Sequence, residues 1–306
     1  MRVRPVFFDQ VREEARRRWD QLEADPELAG PWRQLFAQVQ SPKHVVSELL
    51  QNADDAEAKH VHISTQDGCF CFMHDGHDFT EEEFRSLCRF GFSNKRTLFT
   101  IGFRGVGFKS TFSLGDTVEL LTPSLAVKFS NKRFTEPIWI NDAPSTTQTT
   151  IRIPFKDKDV KKAVEDSLRS WIKSPVSLAF FRNIQQVVIN GTELRRESLG
   201  EGPISFSEWI RLIAGETNFE LLIIHSQPEP FPPEAIEELK AERNLLEDIQ
   251  LPPAEIQLIL GLPGDQKIYV ILPTGASLDT PFSCNGPFIQ DPARYGIKDP
   301  SRSPTN

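Results

Sequence analysis

Between Lys59 and Gly76, in "KHVHISTQDGCFCFMHDG", apolar and polar positions alternate along two short runs separated by "QDG". Alternation of this kind predicts two half-buried strands joined by a tight turn. Just upstream the period changes. In "SPKHVVSELLQNADDAEA", residues 41–58, Val45, Leu49, Ala53 and Ala56 recur at helical spacing, and Ser41 with Pro42 supplies a helix start. The two patterns together predict an αββ unit.

The same reading extends along the chain. The first forty residues predict a leading helix pair, interrupted by Pro26 and Pro31 and resumed in "WRQLFAQV". "TEEEFRSLCRF" predicts a short helix capped by Thr80, with acidic residues in its first turn. A glycine-rich passage, residues 91–116, leads to the predicted strands "TVELLT", "LAVKFS" and "TTIRIPF". Then come a helix from "DKDVKKAVEDSLRSWI" and "QQVVINGTEL", whose Asn190-Gly191 marks a hairpin. "SLGEGPIS", residues 198–205, reads as a boundary. Beyond it lie "FELLIIHS", a helix "PPEAIEELKAERNLLE", two strands "EIQLILGL" and "KIYVILPT", and a proline-broken tail that reads as a loop or a cut end. Helices and antiparallel strands mix without the regular alternation of a doubly wound sheet, so the fold class is α+β, a two-layer sandwich followed by a smaller α+β domain. The expected domains are a helical segment at 1–40, a main domain at 41–197 and a second domain at 206–306.

Composition narrows the function. The 306 residues are 39% hydrophobic and 25% charged, with a formal net charge of −8, the balance of a globular protein and not of a general phosphate-backbone binder. Nucleic acid is therefore an unsupported partner. No run is apolar for the roughly 18 residues a membrane span requires, and the beginning lacks a signal-peptide core, so a cytoplasmic location without membrane partners is expected. Four scattered cysteines do not make a disulfide framework, and reduced thiols are expected at Cys69, Cys71, Cys88 and Cys284.

Three stretches carry candidate chemistry. Glu48, Asn52 and Asp55 fall in one polar strip of the helix at 41–58, which alone fits a solvated face as well as a site. In "MHDGHDF" an Asp75-Gly76 turn follows a strand. In "IGFRGVGFKS", Gly102, Gly105 and Gly107, with Val106 among them, precede Phe108 and Lys109. Closely spaced glycines let backbone amides approach a phosphate chain. The loop is not a Walker A sequence.

In this order the three stretches, followed by the Thr149-Thr150 strand, resemble the GHKL (Bergerat-fold) ATP-binding family of chaperones, topoisomerases and histidine kinases. "ELLQNADDA" and "IGFRGVGFKS" are similar to the sacsin-like and heat-shock-chaperone-like members, and the likeness covers residues 40–197, including a closing helix and a "SPVSLAFF" strand. The resemblance implies ATP and Mg²⁺ as ligands. It implies Glu48 as the acid that orients or deprotonates the attacking water, Asn52 as the Mg²⁺ ligand, and Asp55 beside them. Backbone amides of Gly102, Gly105, Val106, Gly107 and Phe108 would meet the phosphates, with Lys109 as a point charge, and Thr149 would stand on the adenine side. One departure is visible: His74 occupies the position whose carboxylate accepts the adenine amino group in the family, and Asp78 replaces a glycine. Either His74 or, with a one-residue shift, Asp75 would read the base, beside Gly76.

"FGFSNKRTLFT", with Gly91 as a hinge, is a short ATP lid or a plain surface loop. By analogy, Arg294 is the candidate γ-phosphate sensor and Arg302 the spare, against an exposed structural arginine. The expected function is a slowly hydrolysing, Mg-ATP-driven conformational switch that dimerises on ATP and serves a protein client or larger assembly. The alternative is a nucleotide-binding scaffold or cochaperone module without hydrolysis. A histidine kinase fits less well, because no phosphoacceptor helix precedes the domain.

Overall fold

The computed structural model describes residues 3–25, 27, 30, 42–89, 108–243, 253–290 and 296–306. The chain divides into two compact units. The first holds helices α1 (Val6–Ala24), α2 (Pro42–Asp55), α3 (Glu81–Leu87) and all but the end of α4 (Lys158–Lys173). Its strands are β1 (His60–Ser64), β2 (Cys69–His74), β3 (Thr117–Leu121), β4 (Ala126–Ser130), β5 (Arg133–Trp139), β6 (Thr149–Pro154) and β7 (Gln186–Ile189). Their order is β7-β1-β2-β6-β3-β4-β5, with β7 parallel to β1 and the remaining pairs antiparallel. This mixed α+β sheet with helices is the expected fold class.

Local chemistry accounts for the elements. Asp67 and Gly68 both take positive φ, 52° and 71°, which turns β1 back on β2. Thr80 and Glu83 form a reciprocal capping box that starts α3. On β2 the alternation resolves into two faces: Phe70, Phe72 and His74 are buried on one, while Cys71 and Met73 are half-buried on the other. α2 is buried around more of its girth than a single apolar stripe implies. Val45, Leu49 and Ala53 are buried, and so are Val46, Leu50 and Asp54 in a second row.

β5 has no counterpart in the sequence reading. Pro137 interrupts its run, and proline is tolerated there because β5 is the end strand of the unit. α1 fastens to it: the Trp19 indole donates to Thr135 Oγ1 at 2.8 Å, Phe8 meets Trp139 edge to face, and Arg133 pairs with Asp20 and Glu23. The first helix is thus part of the first unit.

"SPVSLAFF" corrects an expectation. Pro175–Ala179 is a 3₁₀ helix in the second unit and not a strand, since Pro175 suits a first helical turn and lacks the amide a ladder needs.

The second unit holds almost all of β8 (Thr192–Glu201), then β9 (Ser207–Ala214), β10 (Thr217–His225), α5 (Pro233–Arg243), β11 (Gln257–Leu260), β12 (Gln266–Val270), β13 (Leu272–Leu278) and β14 (Ser283–Asn285). They run in the order β13-β12-β14-β11-β10-β9-β8. Residues 198–205 lie in β8 and the turn that folds it onto β9, where Gly202 N–H donates to the Ser207 carbonyl. "KIYVILPT" is two strands instead of one, because Ile271, at φ 63°, reverses the chain between them. The tail is tied down: the Asn306 side chain bonds the Ile289 amide and carbonyl, and Glu238 accepts from Ser303, Thr305 and Lys298.

Candidate functional site

α2 carries Glu48, buried at 6% exposure, with Asn52 and Asp55 half-buried one and two turns on. The chain leaving α2 touches the turn after β2. His77 N–H donates to the Ala56 carbonyl at 2.8 Å, and a Cβ at Gly76 would stand 2.5 Å from that same oxygen. Glycine is therefore required at 76 by close backbone approach, and the turn is locked one helical turn past Asn52.

Asp75 and His74, adjacent in sequence, do different things. Asp75 Oδ1 accepts from the Lys59 and His60 amides at 2.8 and 2.9 Å, and Oδ2 lies 2.6 Å from His60 Nδ1. Partial burial would raise its pKa, but the three hydrogen bonds outweigh that and hold the carboxyl below the usual range. Asp75 is spent on starting β1. His74 is on the opposite, buried face, 7% exposed, against Phe72. Burial pushes its pKa down to about 4, so the ring is neutral at pH 7.

The tautomer follows. Gly76 N–H donates to His74 Nδ1 at 3.2 Å, so Nδ1 is the acceptor and Nε2 carries the hydrogen. Among the described residues Nε2 has no hydrogen-bond partner. Directly opposite, in register on β6, is Thr149, 1% exposed, whose Oγ1 is buried without a partner. Buried polar atoms are ordinarily satisfied, so this one calls for a ligand or a water.

Asp78, where the resemblance leads one to expect glycine, accepts from the Ser124 amide at 2.8 Å and tethers the β3–β4 turn. Phe108 is a core residue, edge to face with Phe129. Lys109 differs from the expectation of a phosphate-facing charge. It is 2% exposed and donates through Nζ to the Leu87 carbonyl at 2.9 Å, and burial lowers its pKa to about 8. The helical turn Phe108–Ser113 rotates it inward, beside Cys88, whose thiol burial pushes up to about 12.

Gly91, Gly102, Gly105, Val106, Gly107 and Arg294 lie outside the described residues, as do Ser93, Asn94 and Lys95 of the lid segment. Arg302 closes a short 3₁₀ turn, Pro300–Arg302, in the second unit. The four cysteines are free thiols, and no group of metal-binding residues occurs among the described residues. Nor is any described helix long and apolar enough to cross a membrane.

Asp54 is the residue that sequence reasoning passed over. Its buried carboxylate accepts the Arg182, Asn183 and Ile184 amides at 3.2, 2.8 and 3.0 Å, fixing the end of α2 to the start of β7. The signal was available: Val46 and Leu50 form an apolar row four residues apart, and Asp54 ends it.

Residues 40–164 match the family model described as "Histidine kinase-, DNA gyrase B-, and HSP90-like ATPase". Comparison with curated proteins returns no match.

Proposed function

We propose, from the match of residues 40–164 to a GHKL-type ATPase family model, that the chain binds Mg-ATP and hydrolyses it slowly as a conformational switch of the sacsin or chaperone-like kind. One observation supports this reading: Thr149, whose hydroxyl is buried and unpartnered, pairs in register with the neutral His74 across β2 and β6, and the turn after β2 bonds the Ala56 carbonyl just past the helix that holds Glu48 and Asn52.

The donor set fits the ligands. Asn52 offers a side-chain oxygen, the hard donor that Mg²⁺ accepts while keeping most of its waters, and Glu48 and Asp55 supply carboxylates on the same strip. Bound Mg²⁺ would neutralise phosphate charge and fix the orientation of the terminal phosphoryl group. Glu48 would hold the attacking water and take its proton at a carboxylate oxygen. Gly76, too crowded for any side chain, keeps the turn between α2 and β2 in place, so that His74 and Thr149 stand at the base end. Asp75, committed to β1, leaves base reading to His74. Lys109, committed to Leu87, supplies no phosphate charge in this conformation.

Dimerisation on ATP, the γ-phosphate-sensing role of Arg294 and a protein client belong to this reading as family expectations. The scaffold alternative differs in one measurable respect. Glu48→Ala should keep Mg-ATP affinity within about threefold and lower phosphate release by the ~10²–10⁴ that general-base catalysis contributes. If the wild-type protein binds Mg-ATP and releases no phosphate either, the scaffold reading replaces the switch.

A further inference from the structure

Gln51 lies on α2 between Glu48 and Asp55, and helical geometry adds it to their polar strip. At 100° per residue it stands about 60° to one side of Glu48, and Asn52 stands about 40° to the other. Long helical side chains lean back over the preceding turn. Gln51 and Asn52, three and four positions on, therefore flank the Glu48 side chain, with Cβ atoms about 5–6 Å from its own.

Gln51 is 3% exposed, and its Oε1 is buried without a hydrogen-bond partner. The next buried polar group on the same helix is fully engaged: Asp54 accepts three backbone amides. An unmet buried acceptor gives up its hydration and gains nothing in return, so Gln51 Oε1 works against the stability of the unliganded fold. Packing alone would be served as well by methionine, which has the same reach and no amide.

A water attacking the terminal phosphate has two hydrogens to place. Glu48 accepts one and takes it as a proton. The other swings about that bond unless a second acceptor holds it, and only with both held does a lone pair keep its direction toward phosphorus. A second carboxylate would put another negative charge beside the triphosphate, whereas an amide oxygen accepts without charge.

We infer that Gln51 Oε1 is this second acceptor and orients the attacking water against Glu48. The inference rests on the ATPase reading above and adds a residue to it. In the step, the water oxygen bonds the terminal phosphorus as the bond to the ADP oxygen breaks. One hydrogen passes to Glu48, and the other, held by Gln51, leaves on the inorganic phosphate. Gln51 itself neither gains nor loses a proton.

The test combines phosphate release at saturating Mg-ATP, Mg-ATP binding and thermal melting without nucleotide, on the full chain as wild type, Gln51→Met and Gln51→Glu. Gln51→Met is expected to lower kcat by about 10- to 100-fold while Mg-ATP affinity stays within about threefold. It should melt no lower than wild type, because the acceptor it removes was unmet. Gln51→Glu, which keeps oxygen acceptors at the same reach, should hold kcat within about fivefold of wild type. A structural glutamine would behave otherwise, so a Met variant that melts lower or fails to fold overturns the inference. A folded Met variant with kcat within about twofold of wild type does the same, as does a Glu variant as slow as the Met variant. In each of these cases wild type still releases phosphate and the ATPase reading stands. If wild type releases none, that reading and the inference fall together.

Discussion

His74 carries a consequence for stability that is separate from binding. An unfolded histidine takes up a proton near pH 6.5, whereas the folded ring, depressed by burial, resists until about pH 4. Between those values the unfolded chain holds more protons, so stability is intact above about pH 6.5 and is lost as the pH falls toward 4, by roughly 3 kcal/mol in all. Urea midpoints measured from pH 7 to 4.5 should therefore decline in wild type and decline less in His74→Asn; parallel profiles would contradict the burial of a neutral ring. Asp75, with its pKa lowered by its hydrogen bonds, acts later, its contribution being lost only below the ordinary carboxylate range. Gly76→Ala places a methyl 2.5 Å from the Ala56 carbonyl oxygen, and should cost about 1–3 kcal/mol in a denaturant titration; a neutral effect would mean the turn is not docked against α2. At this scale the sequence was legible as to residue type and illegible as to partner. "HDG" shows that a His and an Asp compete for one role, but only the fold reveals that the amides of Lys59 and His60, some fifteen residues upstream in the chain, engage the Asp.

Helices and strands were legible wherever a period ran uninterrupted. α2, α3, β1 and β2 follow from spacing, caps and an Asp-Gly turn whose positive φ values are the physical content of that motif. Elements containing proline were misread. β5 was missed because Pro137 breaks its alternation, and its acceptability depends on the strand being at the edge with α1 fastened to it, a tertiary fact. "SPVSLAFF" looks like an apolar strand, and short apolar runs do not distinguish strand from helix by period alone. The most consequential connection between elements is that of Asp54 with residues 182–184. Asp54→Asn retains size but removes the charge that three backbone amides share, and should destabilise the protein by about 2–3 kcal/mol. Thr80→Ala, which removes one half of a capping box on a seven-residue helix, should cost only about 1 kcal/mol. Equal losses from the two variants in chemical denaturation would show that the Asp54 contacts contribute no more than a surface cap.

For the whole molecule, the α+β class could be read from mixed, non-alternating elements, and the likeness to the ATPase family model that matches residues 40–164 from the order of three short motifs. The arrangement inside each unit could not, since the sheet orders depend on pairings far apart in sequence, such as β2 with β6 and β1 with β7. The proposed role as a nucleotide-driven switch implies linkage: a ligand that binds only the folded protein stabilises it by about 2.7 kcal/mol at a hundredfold excess over its dissociation constant. Saturating Mg-ATP should thus raise the melting temperature by several degrees, with a smaller rise in Asn52→Ala, and an unchanged melting curve in wild type would count against any nucleotide site. The measurement that reaches the central claim most directly is a crystal structure with Mg²⁺ and a non-hydrolysable ATP analogue. The account predicts the purine edge against His74 Nε2 and Thr149 Oγ1, with the metal on the Asn52 oxygen and Glu48 facing the terminal phosphate. A base held by the Asp75 carboxylate, or a nucleotide that leaves the Thr149 hydroxyl unpartnered, would contradict it.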